Sequence, residues 1–142
     1  MESRGCQVHK LVADVCILAD NNVLLVRYKD VSGYDGEKGW FLPDDYLHHA
    51  EHPQDAAQRI LREQADVEVP ALSLGSVESF EGHAYWHLVF HYYIQLNAIP
   101  QTTSGPNVSL LEWFALGSLP APEQVGHGGW ALETLQTLMS KM

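Results

Sequence analysis

Two aliphatic, β-branched runs open the readable pattern, residues 9–19 and 22–29, parted by Asp20-Asn21. Apolar runs of strand length on either side of an Asp-Asn pair predict a β-hairpin. Residues 30–39 break the pattern with three glycines and three acidic side chains, the composition of a loop. Trp40-Phe41-Leu42 reads as a short apolar strand stopped by Pro43. His52-Pro53 then opens a helix, because proline in the first turn forfeits only an N–H that has no partner there. That helix is expected to run to about Ala65. Strands are predicted at residues 71–80 and 84–96. The second alternates, with Trp86, Leu88, Phe90, Tyr92 and Ile94 on one face and Tyr85, His87, Val89, His91 and Tyr93 on the other. A polar loop at 97–109, a strand from Leu110 to Leu116 and a closing helix from Trp130 to Lys141 complete the series. The order β-β-β-α-β-β-β-α gives a mixed sheet with helices packed on it, of α/β or α+β class.

Composition adjusts this picture only slightly. A chain of 142 residues suits one domain over 1–142, and at this size about 68–70% of the unfolded surface is buried. No apolar run approaches the roughly 20 residues a membrane-spanning helix needs. The start, Met1 to Cys6, lacks the apolar stretch of a secretory signal. Cys6 and Cys16 are too few for a disulfide framework, and Cys16, inside an apolar run, reads as a buried free thiol. A cytoplasmic location is the default that follows. The 18 acidic and 8 basic side chains leave a net charge of −10. Such a surface repels a polyanion, which argues against binding a nucleic acid polymer. A small phosphate-bearing ligand would need a metal ion or a local basic group.

The chemistry concentrates in Leu42 to Val67, LPDDYLHHAEHPQDAAQRILREQADV. Here the chain resembles the Nudix family, whose box is G-x5-E-x7-R-E-U-x-E-E-x-G-U, with U aliphatic. The pattern places the family's first glycine at Asp45, its first glutamate at Glu51 and its arginine at Arg59. Its three helix glutamates fall on Ile60, Glu63 and Gln64, the aliphatic positions on Leu61 and Val67, and the closing glycine on Asp66. The lead-in Trp40-Phe41-Leu42-Pro43 and the later Glu112-Trp113-Phe114-Ala115-Leu116 also match. The resemblance covers roughly residues 9 to 141 and implies a Nudix fold of α/β class, a mixed β-sheet sandwiched between helices.

What the resemblance implies about function is divided. Nudix hydrolases cleave a nucleoside diphosphate linked to another moiety, using water and a divalent cation, Mg²⁺ or Mn²⁺. Helix residues at i, i+3 and i+4 share a face, and three glutamates there jointly hold the metal, which polarises phosphorus and lowers the pKa of bound water. In this chain that face is Ile60, Glu63 and Gln64. Ile60 extends the apolar set of Ala56, Ala57 and Leu61, and Gln64 keeps the shape of glutamate without its charge. Glu63 is the surviving candidate metal ligand, with Asp45 and Glu112 as further candidates. Glu51 and Arg59 take the family positions of a charge pair that braces loop to helix. At Asp44, Asp45 and Asp66, aspartate replaces the glycine of the pattern; it tolerates φ > 0 better than most residues.

Outside the box, Arg27 is a candidate phosphate contact. His87 and His91, with Tyr85 and Tyr93 on the same face, are candidate ring-stacking residues, and a half-buried sheet face is the plainer reading. Asp44, Asp45, His48, His49, Glu51 and His52 crowd the loop before the helix, and imidazoles there would suit Zn²⁺-like metals. Two readings stay open: a divergent hydrolase of weak or altered activity acting through Glu63, and a Nudix-fold module that binds a nucleotide-like ligand, or a protein, without hydrolysis. Proteins that resemble this one are commonly dimers, so a homodimer is compatible with either.

Overall fold

A computed structural model describes residues 9–82 and 85–142. Cys6 and the start of the chain, on which the secretory-signal and disulfide readings rest, lie outside the described residues. The strands are β1 (His9–Ala19), β2 (Asn22–Tyr28), β3 (Asp44–Tyr46), β4 (Ser73–Glu81), β5 (Trp86–Leu96) and β6 (Val108–Ala115); the helices are α1 (Pro53–Ala65) and α2 (Gly126–Met139). The sheet order is β4-β5-β1-β2-β6, with β3 paired to β1. It is mixed: β5 runs parallel to β1 along its whole length, and the other pairings are antiparallel. The expected α/β architecture is the one observed. Among the described residues no helix is long and apolar enough to cross a membrane.

The alternation of β1 explains why it reads as a continuous apolar run. Val15 and Ile17 point to one face, where they pack with Ala57, Leu61 and Ala65 of α1. Cys16 and Leu18 point to the other and pack with Ala131, Leu135 and Leu138 of α2. A strand covered on both faces needs apolar side chains at every position. Asp20 and Asn21 both adopt positive φ (48° and 63°), the conformation a two-residue hairpin turn demands. Burial pushes the Cys16 thiol up to about 12, with Asp14 adding to the effect, so this cysteine is an inert core residue.

Two sequence expectations need correction. Trp40-Phe41-Leu42 is not a strand of its own. Trp40 and Phe41 make single bridges, to Val125 and Val26, and the ladder begins two residues after Leu42, at Asp44, where β3 pairs with Val12 to Asp14 of β1. Pro43 lacks an N–H, but its carbonyl accepts from the Val15 N–H at 3.0 Å, so the segment 40–46 wedges between β1 and β2 and splays them. As strand residues, Asp44 and Asp45 avoid positive φ, and the glycine-like conformation expected there is absent. Asp66 does take it, at φ 57°, as the C-cap of α1.

The closing helix also starts earlier than Trp130, through a kinked turn at His127 to Gly129 where three successive residues have positive φ. The polar loop expected at 97–109 is pinned to the last turn of α1. Thr103 and Gly105 donate their N–H groups to the Ala65 and Gln64 carbonyls, both at 3.0 Å. A Cβ at Gly105 would collide with the Glu63 carbonyl, so only glycine lets the loop satisfy these helix-end acceptors.

Candidate functional site

Helix α1 begins with a cap of its own. The His52 Nδ1 accepts from the Gln54 N–H at 3.1 Å, which together with Pro53 fixes the first turn. His48 donates its N–H to Glu51 Oε1 at 3.0 Å, and the tight turn passes through Ala50 at φ 62°. His52 thus serves the helix start through its ring and His48 through its backbone, and among the described residues no set of three His, Cys, Asp or Glu is arranged to hold a metal ion.

From α1 the buried Arg59 reaches back across this loop. Its Nε and Nη2 form a bidentate pair with Glu51 at 2.9 and 3.0 Å. Its Nη1 donates to Asp45 at 3.0 Å and to Glu63 at 2.9 Å, and its Nη2 also donates to the Tyr46 carbonyl at 2.9 Å. One planar guanidinium thus spends its forked donors on three carboxylates and a carbonyl. The hydrogen bond from Arg59 holds the Glu51 carboxyl below its ordinary range, and those carboxylates raise the Arg59 pKa in turn.

The other two positions of the box face are occupied differently. Ile60 is fully buried in a small cluster with Ala13 and Ala56, beside Leu47 and Phe90. Gln64 uses both ends of its amide: Nε2 donates to the Asp44 carbonyl at 2.8 Å, and Oε1 accepts from the Tyr28 hydroxyl at 2.8 Å. The Tyr28 oxygen accepts in turn from the Asp44 N–H at 3.0 Å. Gln64 and Tyr28 therefore clamp the Asp44 peptide on both sides. A glutamate in the same place could not donate to that carbonyl.

A second feature lies on the α2 side of the sheet. A cavity of about 740 Å³ is walled by β1, β4, β5, the loop 30–37 and the start of α2. Beneath it Asp14, a carboxylate in the middle of apolar β1, contacts His91 Nδ1 at 2.7 Å, and Glu78 of β4 contacts Nε2 at 2.8 Å. The parallel register sets Asp14 beside His91 and the antiparallel one brings β4 alongside. Burial works against protonation of His91, but the hydrogen bonds and charges of Asp14 and Glu78 outweigh it and raise its pKa above 6.5. An imidazolium, with two donors, satisfies both carboxylates at once. Trp130 of α2 stands over this group, its ring 5.8 Å from that of His91, and Phe80 stacks on His87 at 4.9 Å and 4°.

The structure brings Arg59, Glu51, Asp45 and Glu63 together and leaves the other candidates elsewhere. His87 lines the cavity, and its Nδ1 is buried with no partner among the described residues. His91 sits behind the wall through Glu78. Tyr85 lies under the Lys10 ammonium, 4.5 Å from its ring centroid, and Arg27 stacks over Trp40 at 4.8 Å. Neither reaches the cavity. Glu112 alternates with Leu111 and Trp113, which pack on the α1 side, so it stands on the opposite face from Glu63. Asp14, Glu78, Phe80 and Trp130 escaped the sequence reading. A lone aspartate in an otherwise apolar strand was the one available signal.

A mixed sheet between two helices, with an Arg–Glu brace fixing the loop to the first of them, defines a class of fold. The match of the NUDIX domain model to residues 8–133 assigns it: the chain belongs to the Nudix family. Solved structures agree on the fold. The MutT NUDIX hydrolase from Burkholderia pseudomallei superposes with a TM-score of 0.74 at 20% identity, over 93% of this chain and 99% of that one. The NUDIX domain of Shewanella oneidensis NrtR, solved with ADP ribose, gives 0.77 at 16% identity over 99% and 93%. A C. elegans Ap4A hydrolase gives 0.65 at 14% identity over 94% and 99%. No curated protein matches the chain.

Proposed function

We propose that this chain is a Nudix-fold domain that binds a small, nucleotide-like molecule bearing a planar ring, with metal-dependent phosphoanhydride hydrolysis weak or absent. The observation that carries this reading is the saturation of the box face. Glu63, the one helix carboxylate left, is ion-paired to Arg59 at 2.9 Å; Gln64 has committed its amide to Asp44 and Tyr28, and Ile60 is core. The family generally uses divalent metal ions, and Mg²⁺ needs near-octahedral oxygen ligands from one or two free carboxylates with substrate phosphate and water. This donor set does not fit that requirement, because the guanidinium already occupies the side of Glu63 nearest the other acids. A site for the ring is supported by the cavity, whose size is in the range of small-molecule pockets and whose walls include Tyr34, Phe41, Phe80 and Trp130.

The test is release of nucleoside monophosphate from ADP-ribose and from Ap4A in the presence of Mg²⁺ or Mn²⁺. The expected rate is indistinguishable from that of the Glu63→Gln variant. A metal-dependent rate that this substitution removes would restore a working hydrolase and sink the proposal.

A further inference from the structure

Among the acids that line the cavity, Glu78 is held in place from behind. It comes from the edge strand β4, where a glutamate ordinarily samples many rotamers. Here its Oε1 meets His91 Nε2 at 2.8 Å and accepts from the Trp130 indole N–H at 3.4 Å. His91 is buried and is fixed in turn by the buried Asp14 at 2.7 Å. Turning Glu78 away would leave the imidazolium without its second acceptor. The Oε2 atom has no hydrogen-bond partner among the described residues, and the half-exposed side chain stands on the cavity wall. Rings surround it. Phe80, on the same face of β4, stacks on its cross-strand partner His87 with the planes 4° apart. Trp130 crosses Phe80 at 76°, with ring centroids 6.4 Å apart. Phe80, His87 and Trp130 line the cavity together with Glu78.

A carboxylate oxygen only accepts. It therefore takes an N–H donor from the edge of a neighbouring heterocycle and repels a ring nitrogen or carbonyl lone pair. Asp44 does not share this role, because burial, with Asp14 and Asp45 adding to it, pushes its carboxyl toward the neutral form. Among the described residues no lysine or arginine lines the cavity, so a nucleotide enters by its ring and keeps its phosphates toward solvent. We propose that Glu78 is a specificity residue of this cavity: its Oε2 accepts from an exocyclic amino group of the ligand's heterocycle, with His91 and Asp14 as positioning residues. The ligand class narrows to nucleotides whose base carries an amino group, adenine being the simplest purine case. This rests on the reading above that the cavity takes the ring of a nucleotide-like molecule, and it adds which edge that ring presents.

AMP and purine riboside monophosphate share ring, sugar and phosphate and differ only in the amino group. Their affinities for the intact chain are measured by calorimetry in EDTA, which removes hydrolysis and metal-bridged phosphate from the comparison. AMP is expected to bind at least about tenfold more tightly, the scale of one hydrogen bond to a charged acceptor. In Glu78→Gln the His91 imidazolium claims the amide oxygen and turns the NH₂ toward the ligand. The two nucleotides are then expected to bind within about twofold of each other. Should that variant fail to fold, amide and indole chemical-shift mapping on the unaltered chain replaces it. Shifts at Glu78, Phe80 and the Trp130 indole with AMP support the proposal, and shifts confined to α1 overturn it. Equal affinity of the two nucleotides overturns it and leaves the cavity a nucleotide site. An AMP preference that survives Glu78→Gln also overturns it, because the amino group then has another acceptor. Binding of neither compound at millimolar concentration overturns it together with the reading of the cavity on which it rests.

Discussion

On the α1 side of the sheet, Asp45, Glu51 and Glu63 share the guanidinium of Arg59; on the α2 side, Asp44 is buried and pairs across strands with the buried Asp14, and among the described residues no lysine or arginine lines the cavity. The two places are neighbours in sequence, Asp44 next to Asp45, and opposite in electrostatics. Strand alternation sends one aspartate to each face. On the first face the acids are tied down by a cation of the chain and have little left to offer a metal. On the second, the chain supplies an imidazolium for Asp14 and Glu78 and, among the described residues, no cation for the Asp44 carboxyl. An acidic residue therefore says little about ligand chemistry until its own partner is identified.

The largest effect should come from breaking the first region. Arg59→Ala leaves three carboxylates facing one another around a partly buried gap, and the expected cost is about 3 kcal/mol of stability, measured by urea denaturation. The same variant should bind Mn²⁺ more tightly than the parent in a calorimetric titration, because the freed acids then resemble a metal site. A parent chain that binds Mn²⁺ equally well would show that Arg59 does not compete with metal.

A smaller effect is expected at the clamp between the regions. Gln64→Glu restores the box residue but removes the donor to the Asp44 carbonyl, at a cost of about 1–2 kcal/mol. Stability equal to the parent, together with metal-dependent hydrolysis, would mean the glutamate takes up its family role and the clamp is incidental. The smallest effect concerns pH. The raised pKa of His91 contributes stability that is complete below its unfolded value and is lost as pH rises through the folded one. Urea midpoints should therefore fall between about pH 6 and about pH 8, and the His91 ring should titrate above 6.5 by NMR. Asp14→Asn should move that titration downward; an unchanged midpoint would show that Asp14 does not hold the imidazolium.

Much of the fold was legible because its signals are local. Both faces of β1 are apolar, α1 carries its proline and its aliphatic stripe, and Asp20-Asn21 supplies the hairpin turn. The brace of Glu51 and Arg59 was legible for the same reason: loop and helix are adjacent in the chain and the pattern spacing fits without a gap. Arg59's hold on Asp45 and Glu63 was not, since the box pattern gives positions and not partners. The strand at Asp44 was missed because its pairing partner, β1, is some thirty residues distant in sequence, about a tenfold longer separation than a hairpin turn spans.

By itself, then, the sequence determined the order of elements, the family pattern and the loss of charge at Ile60 and Gln64, all of which depend on residue type and near neighbours. Only the tertiary structure decided where each remaining charge finds its partner. Asp14, His91 and Glu78 meet because three strands lie side by side in one register. The Asp44 carboxyl goes without a hydrogen-bond or ion-pair partner among the described residues because the wedge at 40–46 carries it to the face that Arg59 does not reach. Coulombic pairing acts over a few ångströms of space, and those distances come from packing, which residue order alone does not supply.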